Sequence, residues 1–344
     1  MTAIVTLIPA YKTDYLAPLL AGLRCQNFKD FRVVLSDDSP DGEITRLLRA
    51  GIFNELVRDL NMLVVPGPRQ GSQKNIQHLI QGWGHTGQFV HVHLDDDVIF
   101  PSFYRSHMAA NLSGEFGASV SLRWVTSADG FPQQDLPLPE LLEGSDSHVV
   151  SVNAKKMFAS TIPRCENWLG EITNVLLSAE GARRYAISKM NNFSYYGLGD
   201  VGVLLDISRH APVAVIRDHL SGFRSNPQQS SAQIQSFCVK CGHLAWAALA
   251  LAAWSDSLIS RNEVIQSLGT TFRRTASAYG NNPEIKPFLN LIESAISDRS
   301  VIGGEFEILW SSFLETYPDS RSWSPAPSGL FASKITLENR AAFV

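Results

Sequence analysis

Hydrophobic and polar positions follow two different periods along the first hundred residues. Apolar residues recur at helical spacing in three segments: Leu16 to Leu23, ITRLLRAGIFNEL at 44–56 and SQKNIQHLIQGW at 72–83. Four short β-branched runs separate or flank these helices and have the composition of buried strands: AIVTLI at 3–8, FRVVLSDD at 31–38, MLVVPG at 62–67 and FVHVHLD at 89–95. Strands that alternate with helices predict a parallel, doubly wound α/β sheet.

The pattern becomes mixed after residue 118. Three strand-like segments, at 118–125, 148–154 and 212–218, are interrupted by a Pro-rich loop at 131–140 and a helix at 178–188. Beyond the polar turn at 225–231 the apolar spacing predicts four helices, at 234–254, 262–279, 285–296 and 305–317. We therefore predict a main domain over 1–226 with halves 1–101 and 102–226, and a helical region over 227–344. The last twenty residues, around Pro325, Pro327 and Gly329, read as a wrapping or loose tail.

The segment VHVHLDDDVIFP at 90–101 ends an apolar strand on three consecutive carboxylates, Asp95, Asp96 and Asp97. Adjacent anions repel one another, so we expect at least one perturbed pKa and a compensating cation or donor. Side chains two apart on an extended strand face the same way, which predicts that Asp95 and Asp97 share one site. The arrangement suits Mg²⁺ or Mn²⁺ bridging phosphate oxygens, and a solvated acidic turn is the alternative.

Polar clusters follow all four predicted strands. They are Pro9 to Lys12, Asp37 with Asp38, Arg69 to Gly71, and Asp95 to Asp97. In open α/β sheets, ligands bind beyond the carboxyl ends of the strands, so the four clusters are expected to converge on one site.

Composition narrows the possible partners. The 29 basic and 33 acidic residues give a net charge of -4, which argues against a dedicated nucleic-acid binder. Four cysteines are too few for a disulfide scaffold, so a reducing cytoplasm is the expected compartment. The pair in CVKC at 238–241 is half of a zinc site and lacks a second pair, so zinc is not predicted.

Neither the N-terminal segment nor the longest apolar run predicts a membrane anchor. The start, MTAIVTLIPAYK, reads as a first strand rather than a signal peptide. The run LAWAALALAAW at 244–254 is 11 residues long, whereas a bilayer requires about 20, so we expect a buried helix and no transmembrane segment. A peripheral membrane contact through Trp246 and Trp254 stays open.

Taken in order, TLIPAYK, SDDSPDG and LDDDVIFP resemble the successive motifs of family 2 glycosyltransferases of the GT-A fold. The resemblance covers about residues 3–224. It implies a GT-A, Rossmann-like mixed sheet flanked by helices, with 1–101 binding the nucleotide sugar, 102–226 receiving the acceptor, and a C-terminal helical extension. The implied reaction is metal-dependent and inverting, with Mn²⁺ or Mg²⁺, a UDP-, GDP- or dTDP-sugar donor, and a glycan, lipid-linked or protein acceptor.

The resemblance also implies roles for individual residues. The nucleotide-sugar set is Pro9, Ala10, Tyr11, Asp38, Lys74, Asp95 and Asp96. Asp97 would bind the metal, with His219 in VIRDHLSGFR as a further ligand; a structural role for this lone histidine is the alternative. Lys74, between Gly71 and Asn75, stands where arginine is commoner, and it could equally be a solvated helix residue.

The segment YYGLGDVGVLL at 195–205 is similar to the motif of the catalytic base, with Gly199 in place of the usual Glu and Asp200 retained. Asp200 would then take the acceptor proton, the alternative being a carboxylate that only caps a helix. Glu171 in NWLGEIT is the competing base, or a residue that orients the acceptor. The aromatic residues Trp168, Tyr195 and Tyr196 are candidates for acceptor binding or for core packing, and His91 and His93 are expected to pack beneath the site.

Two other functions compete with glycosyl transfer. A sugar-phosphate nucleotidyltransferase would normally carry a Gly-rich basic loop after the first strand, and IPAYKTDY has no glycine. A catalytically inactive GT-A-like binding or scaffold module is the non-enzyme alternative, and the joint presence of Asp38, Asp95, Asp97 and Asp200 argues against it. The expected setting is cytoplasmic glycan, glycolipid or protein glycosylation, with self-association through the helical tail left open.

Overall fold

The computed structural model describes residues 2–143, 147–225 and 232–316. Its first four strands are β1 (Thr2–Ala10), β2 (Phe31–Asp37), β3 (Met62–Pro66) and β4 (Gly87–Val92). They are mutually parallel and pair in the order β3-β2-β1-β4, which confirms the predicted doubly wound half. The domain boundary predicted near 227 and the tail predicted after Pro325 lie outside the described residues.

Helices cover both faces of this parallel half. They are α1 (Leu16–Arg24), α2 (Glu43–Arg49), α3 (Asn54–Asp59), α4 (Ser72–Trp83) and, after the short strand β5 (Val98–Ile99), α5 (Phe103–Leu112). The single helix predicted over 44–56 is wrong, because Gly51 has φ +90° and separates α2 from α3. A left-handed residue cannot continue a right-handed helix.

The second half adds antiparallel neighbours and makes the sheet mixed. Its elements are β6 (Ala118–Thr126), β7 (Pro132–Gln134), α6 (Glu140–Glu143), β8 (Val149–Val152), α7 (Ala154–Thr161), β9 (Val175–Ser178), α8 (Ala179–Ile187), β10 (Lys189–Met190), β11 (Phe193–Ser194), α9 (Gly199–Ser208) and β12 (Val213–Arg224). In the described part of the chain the main sheet has ten strands, with β9 antiparallel between β4 and β6. Pairing of Gly222 with Val98 brings the end of β12 beside the three carboxylates.

The helical region consists of α10 (Phe237–Ser255), α11 (Arg261–Tyr279), α12 (Lys286–Ser297) and α13 (Gly303–Thr316). By length and composition α10 could cross a membrane, but 67% of its apolar window is buried inside the protein, as a core helix would be. One hydrophobic cluster runs from Val5 on β1 to Phe313 on α13. The helices therefore share their core with the sheet.

Helix α10 packs backbone to backbone against the loop that precedes α9. Gly197 in that loop has φ +89°, and a Cβ atom there would lie 2.3 Å from the backbone nitrogen of Gly242 and 2.7 Å from the carbonyl oxygen of Cys238. Only glycine tolerates both this conformation and this approach. The helical region thus holds the start of the helix that carries Asp200.

Candidate active site

The three consecutive carboxylates lie in a turn after β4 rather than on an extended strand. Oδ2 of Asp95 accepts hydrogen bonds from the backbone N–H groups of Tyr11 at 2.7 Å and Lys12 at 2.8 Å. The Lys12 ammonium pairs with Asp96 at 3.0 Å. Asp95 and Asp96 therefore both face the end of β1, whereas Asp97 turns toward the second half. This corrects the expectation that Asp95 and Asp97 face one way, because the period-two rule applies only to extended backbone.

The electrostatic strain expected of this turn is confirmed. Burial, followed by the charge of Asp96, raises the pKa of Asp95 from its ordinary value of 3.8 to about 6. Asp97 accepts hydrogen bonds from the Thr173 hydroxyl at 2.7 Å and the Arg224 backbone N–H at 3.3 Å. Burial, followed by the charges of Asp96 and Glu171, nevertheless raises the pKa of Asp97 well above its ordinary value.

The end of β2 provides a second polar pocket, around Asp38. Its Oδ1 accepts a hydrogen bond from the Arg69 backbone N–H at 2.5 Å. Burial raises the pKa of Asp38, and burial together with the Asp38 charge raises the pKa of the Tyr11 phenol, so the two groups are near neighbours. The adjacent Asp37 is structural, since it accepts the Thr45 backbone N–H at 2.8 Å and so begins α2.

The remaining nucleotide-binding candidates lie on two elements, β1 and α4. Pro9 and Ala10 end β1, where the Ala10 carbonyl accepts the backbone N–H of Asp38 at 2.9 Å. Lys74 is exposed in the first turn of α4. The next residue, Asn75, is 1% exposed, and its Oδ1 has no hydrogen-bond partner among the described residues. The four predicted strand-end clusters thus meet at one edge, and the role of Lys74 there stays a prediction.

Both candidate bases lie in the second half of the site and contact each other. Asp200 is in the first turn of α9, where it accepts a hydrogen bond from the Tyr185 hydroxyl at 3.4 Å. Burial raises the pKa of Asp200 well above its ordinary value, and the charge of Glu171 and a hydrogen bond with Glu171 raise it further. The charge of Asp97 acts in the same direction. The three carboxylates Asp97, Glu171 and Asp200 therefore form one cluster.

His219 makes its described contacts away from Asp97. Its Nε2 lies 2.8 Å from Oδ1 of Asp135, and its ring stacks on Trp124 with a centroid separation of 4.2 Å. Side chains alternate along a strand, so Trp124 projects from the opposite face of β6 to its neighbour Arg123, which contacts Glu171. A metal-binding role for His219 stays a prediction.

The three aromatic acceptor candidates separate into core and surface residues. Trp168 is 8% exposed and donates its indole N–H to Thr161 at 3.0 Å, and Tyr195 is 0% exposed and donates to the Arg184 carbonyl at 3.2 Å. Their burial favours core packing over acceptor binding for both residues. Tyr196 is half-buried, with its ring 5.9 Å from that of Phe237 at the start of α10. It is the one of the three with a partly open ring.

His91 and His93 pack beneath the site, as expected. His91 is 0% exposed, with Nδ1 2.9 Å from the Tyr104 hydroxyl and Nε2 2.9 Å from the Thr173 carbonyl. Burial lowers the pKa of His93 to about 4, so it is neutral at physiological pH. These side chains support the strand beneath the carboxylate turn and are shielded from solvent.

Sequence reasoning missed Arg224, which closes the carboxylate turn from the end of β12. Its Nε donates to the Asp96 carbonyl at 2.7 Å, its Nη1 donates to the Ala128 carbonyl, and its guanidinium lies 4.4 Å from the ring centroid of Tyr15. The same residue supplies the backbone N–H to Asp97. An arginine at a strand end carries no sequence signal that would distinguish this role.

The carboxylate chemistry fits a divalent cation at Asp97. Within residues 2–143, 147–225 and 232–316, no three His, Cys, Asp or Glu side chains are arranged to hold a metal ion by themselves. Mg²⁺ needs only one or two protein carboxylates when substrate phosphate and water supply the other ligands. Because the buried Asp97 is surrounded by negative charge, a cation there would offset the repulsion within the cluster.

Comparison with known proteins identifies the fold. No protein-family model matches this chain, and no curated protein matches its sequence. Residues 1–349 of TarS from S. aureus, in complex with UDP-GlcNAc, superpose with a TM-score of 0.53 and 14% identity over 91% of this chain and 92% of that chain. GalNAc-T7 with UDP, GalNAc and Mn²⁺ gives a TM-score of 0.50 and 11% identity over 92% of this chain and 56% of that chain. At such low identities a superposition is informative about the fold alone. The superpositions show that this chain has the GT-A fold predicted from its motifs.

Proposed function

We propose that this protein is a metal-dependent glycosyltransferase that moves a sugar from a nucleotide diphosphate to an acceptor hydroxyl. The main support is the position of the Asp95 to Asp97 turn. Asp95 accepts a hydrogen bond from backbone at the end of β1, and Asp97 lies in the carboxylate cluster that contains Asp200. The proposal is supported by the neighbours of similar fold, since TarS is seen with UDP-GlcNAc and GalNAc-T7 with UDP, GalNAc and Mn²⁺.

The donor would occupy the edge formed by β1, β2 and β4. Burial and the charge of the nearby Asp38 raise the pKa of the Tyr11 phenol, and these two side chains would receive the base. Asp95, held by two backbone N–H groups, would face the ribose. Lys12 lies beside Asp96 and offers positive charge near the diphosphate. These roles require little rearrangement, because backbone donors already fix the carboxylates.

The acceptor would react on the side of Asp200. Its carboxylate would take the hydroxyl proton as the acceptor oxygen bonds to the anomeric carbon and the bond from that carbon to the diphosphate breaks. A single displacement of this kind inverts the anomeric centre. A divalent cation held by Asp97 would supply positive charge to the leaving diphosphate.

The setting and the acceptor are further parts of the proposal. Four cysteines in 344 residues are too few for a disulfide scaffold, which supports a reducing cytoplasm. Of the two tryptophans considered for a membrane contact, Trp246 is 7% exposed and packs in the core, so the expectation for it is wrong, whereas Trp254 on α10 is 37% exposed. With Ile308 on α13, which is 75% exposed, Trp254 offers apolar surface for self-association or a peripheral membrane contact. The acceptor class is a glycan, a lipid-linked saccharide or a protein.

A panel of UDP-, GDP- and dTDP-sugars, each with Mn²⁺, Mg²⁺ or EDTA, tests the proposal by thermal shift and by release of the nucleotide diphosphate. We expect one donor to give metal-dependent turnover that Asp97→Asn abolishes. Asp218→Asn is the matched control, because Asp218 lies on β12 with 47% of its side chain exposed and pairs with His148. Binding without turnover of any donor would favour the scaffold function, and no response to any donor would contradict both.

A further inference from the structure

Arg123 on β6 carries a permanent charge and is only 7% exposed. Burial of an arginine is costly unless a negative partner compensates it. Its Nη2 lies 3.7 Å from Oε1 of Glu171, whose side chain is 22% exposed. No role for Arg123 follows from the sequence motifs, so its burial beside a candidate base calls for an explanation.

The chain is shaped locally to admit this guanidinium. Gly170 has φ +102°, and a Cβ atom there would lie 2.7 Å from Nη1 of Arg123 and 2.5 Å from Oδ1 of Asn174. Asn174 is fixed in turn, because its Nδ2 donates to the carbonyl oxygens of Ser121 at 2.8 Å and Leu169 at 3.0 Å. The glycine before Glu171 therefore leaves room for Arg123.

Glu171 links this buried cation to Asp200. After burial, the charge of Glu171 and a hydrogen-bonding interaction with it raise the pKa of Asp200, whereas the positive charge of Arg123 lowers that pKa. The other two cations described at the carboxylate turn are engaged elsewhere: Lys12 pairs with the Asp96 carboxylate, and Arg224 donates to the Asp96 carbonyl. Arg123 thus serves the Asp200 side of the site.

We propose that Arg123 and Glu171 form a positioning pair for Asp200. The guanidinium fixes Glu171, and Glu171 holds the Asp200 carboxyl group in the orientation that meets the acceptor hydroxyl. The pair rests on the proposed function, with Asp200 as the base. The acceptor proton still goes to Asp200, and neither Arg123 nor Glu171 touches the substrate in this arrangement.

Steady-state kinetics of Arg123→Gln, Arg123→Lys and Glu171→Gln test the pair. A misplaced base lowers kcat, and we expect a fall of about 10- to 100-fold in Arg123→Gln and Glu171→Gln with the donor KM within about 2-fold of wild type. Arg123→Lys keeps the charge and loses the planar fork, so it should recover part of kcat. Unchanged kcat, or a loss confined to donor KM, would overturn the pair.

Gly170→Ala should reproduce the effect of Arg123→Gln by displacing the guanidinium. Gly51→Ala is its matched control, since Gly51 also has a positive φ, of +90°, and lies between α2 and α3 away from the carboxylates. If Arg123→Gln does not fold, Arg123→Lys decides the question, because it keeps the buried positive charge and its ion pair with Glu171.

Hydrogen exchange of the backbone amides from 197 to 203 provides a readout that needs no donor. We expect faster exchange of this segment in Arg123→Gln and wild-type exchange in Gly51→Ala, because only the first loosens Asp200. Equal exchange in Arg123→Gln and wild type would overturn the pair. Absence of turnover in the wild type with every donor would instead refute the proposed function, and the exchange experiment would still decide whether Arg123 positions Asp200.

Discussion

Two groups of carboxylates at the same edge of the sheet differ in what surrounds them. The first group, Asp37, Asp38 and Asp95, accepts hydrogen bonds from backbone N–H groups that follow β1 and β3 or lie in the first turn of α2. The second group, Asp97, Glu171 and Asp200, is arranged so that the members act on one another and raise the pKa of Asp97 and Asp200. The first is a set of positioned acceptors, and the second is a concentration of negative charge.

The difference shows what each half of the site still requires. Backbone donors are fixed by strand register, so the first group keeps its geometry without a ligand. The donors to the second group are the Thr173 and Tyr185 hydroxyls, the Arg224 backbone N–H and the Arg123 guanidinium. With these donors in place, the pKa values of Asp97 and Asp200 are still raised. A cation at Asp97 and an acceptor hydroxyl at Asp200 would complete it. Nucleotide binding and catalysis should therefore be separable by mutation.

Asp200→Asn should separate them most strongly. The amide has nearly the same size as the carboxyl group but cannot take the acceptor proton, so kcat should fall by about 1,000-fold. Titration calorimetry with the nucleotide diphosphate should give wild-type affinity, because none of the first-group carboxylates depends on Asp200. An active Asp200→Asn together with an inactive Glu171→Gln would instead assign the base to Glu171.

The same division explains how much could be predicted. Motifs at strand ends predicted that Asp38 and Asp95 lie at one edge of the sheet, because parallel strands bring their carboxyl ends together whatever the loops do. The surroundings of Asp97 come from residues far along the chain: Thr173 is 76 positions away and Arg224 is 127 positions away. No local pattern reports such contacts. The candidate bases were named from motifs, but their proximity depends on how the short 3₁₀ helix Ile172–Asn174, which follows Glu171, lies against α9.

Local sequence patterns also could not predict which aromatic residues are buried. Tyr195 and Tyr196 are adjacent in sequence, yet Tyr195 packs fully into the core and Tyr196 stays half-buried beside α10. Tyr195 packs against Gly202 of α9 and Tyr196 lies beside Phe237 of α10, and helical periodicity predicts these helices without predicting their partners. The fold was therefore more predictable than the second half of the site.

Gly197→Ala should show that the second group depends on the helical region. The new Cβ would meet the backbone of α10, and φ +89° strains any residue with a side chain, so we expect a loss of about 3 kcal/mol in the free energy of unfolding. Gly82→Ala in α4 is the control, because a Cβ there meets nothing within 4 Å and alanine favours the helix. Equal denaturant midpoints for the two variants would contradict the proposed support of Asp200 by α10.

Asp95→Asn tests whether the backbone donors fully offset the free-energy cost of burying the Asp95 charge. The pKa of Asp95 in the folded protein is about 6, above its ordinary value of 3.8, so the folded state binds this proton more tightly than the unfolded state. The cost of the buried charge is then fully present above about pH 6 and disappears below about pH 4. Asp95→Asn should be more stable than wild type by about 2 kcal/mol at pH 7.5, with a smaller difference at pH 5.

Urea unfolding of the ligand-free proteins at the two pH values measures this difference. Asp95→Leu is the control, since it removes the acceptor for the Tyr11 and Lys12 N–H groups and should be destabilised at both pH values. A deficit of Asp95→Asn that is the same at pH 7.5 and pH 5 would mean that the two N–H donors outweigh burial. Asp95 would then be stabilised by its donors, unlike Asp97 and Asp200. The expected pH dependence instead means that Asp95 has backbone donors like the rest of the first group and a net cost of burial like the second group.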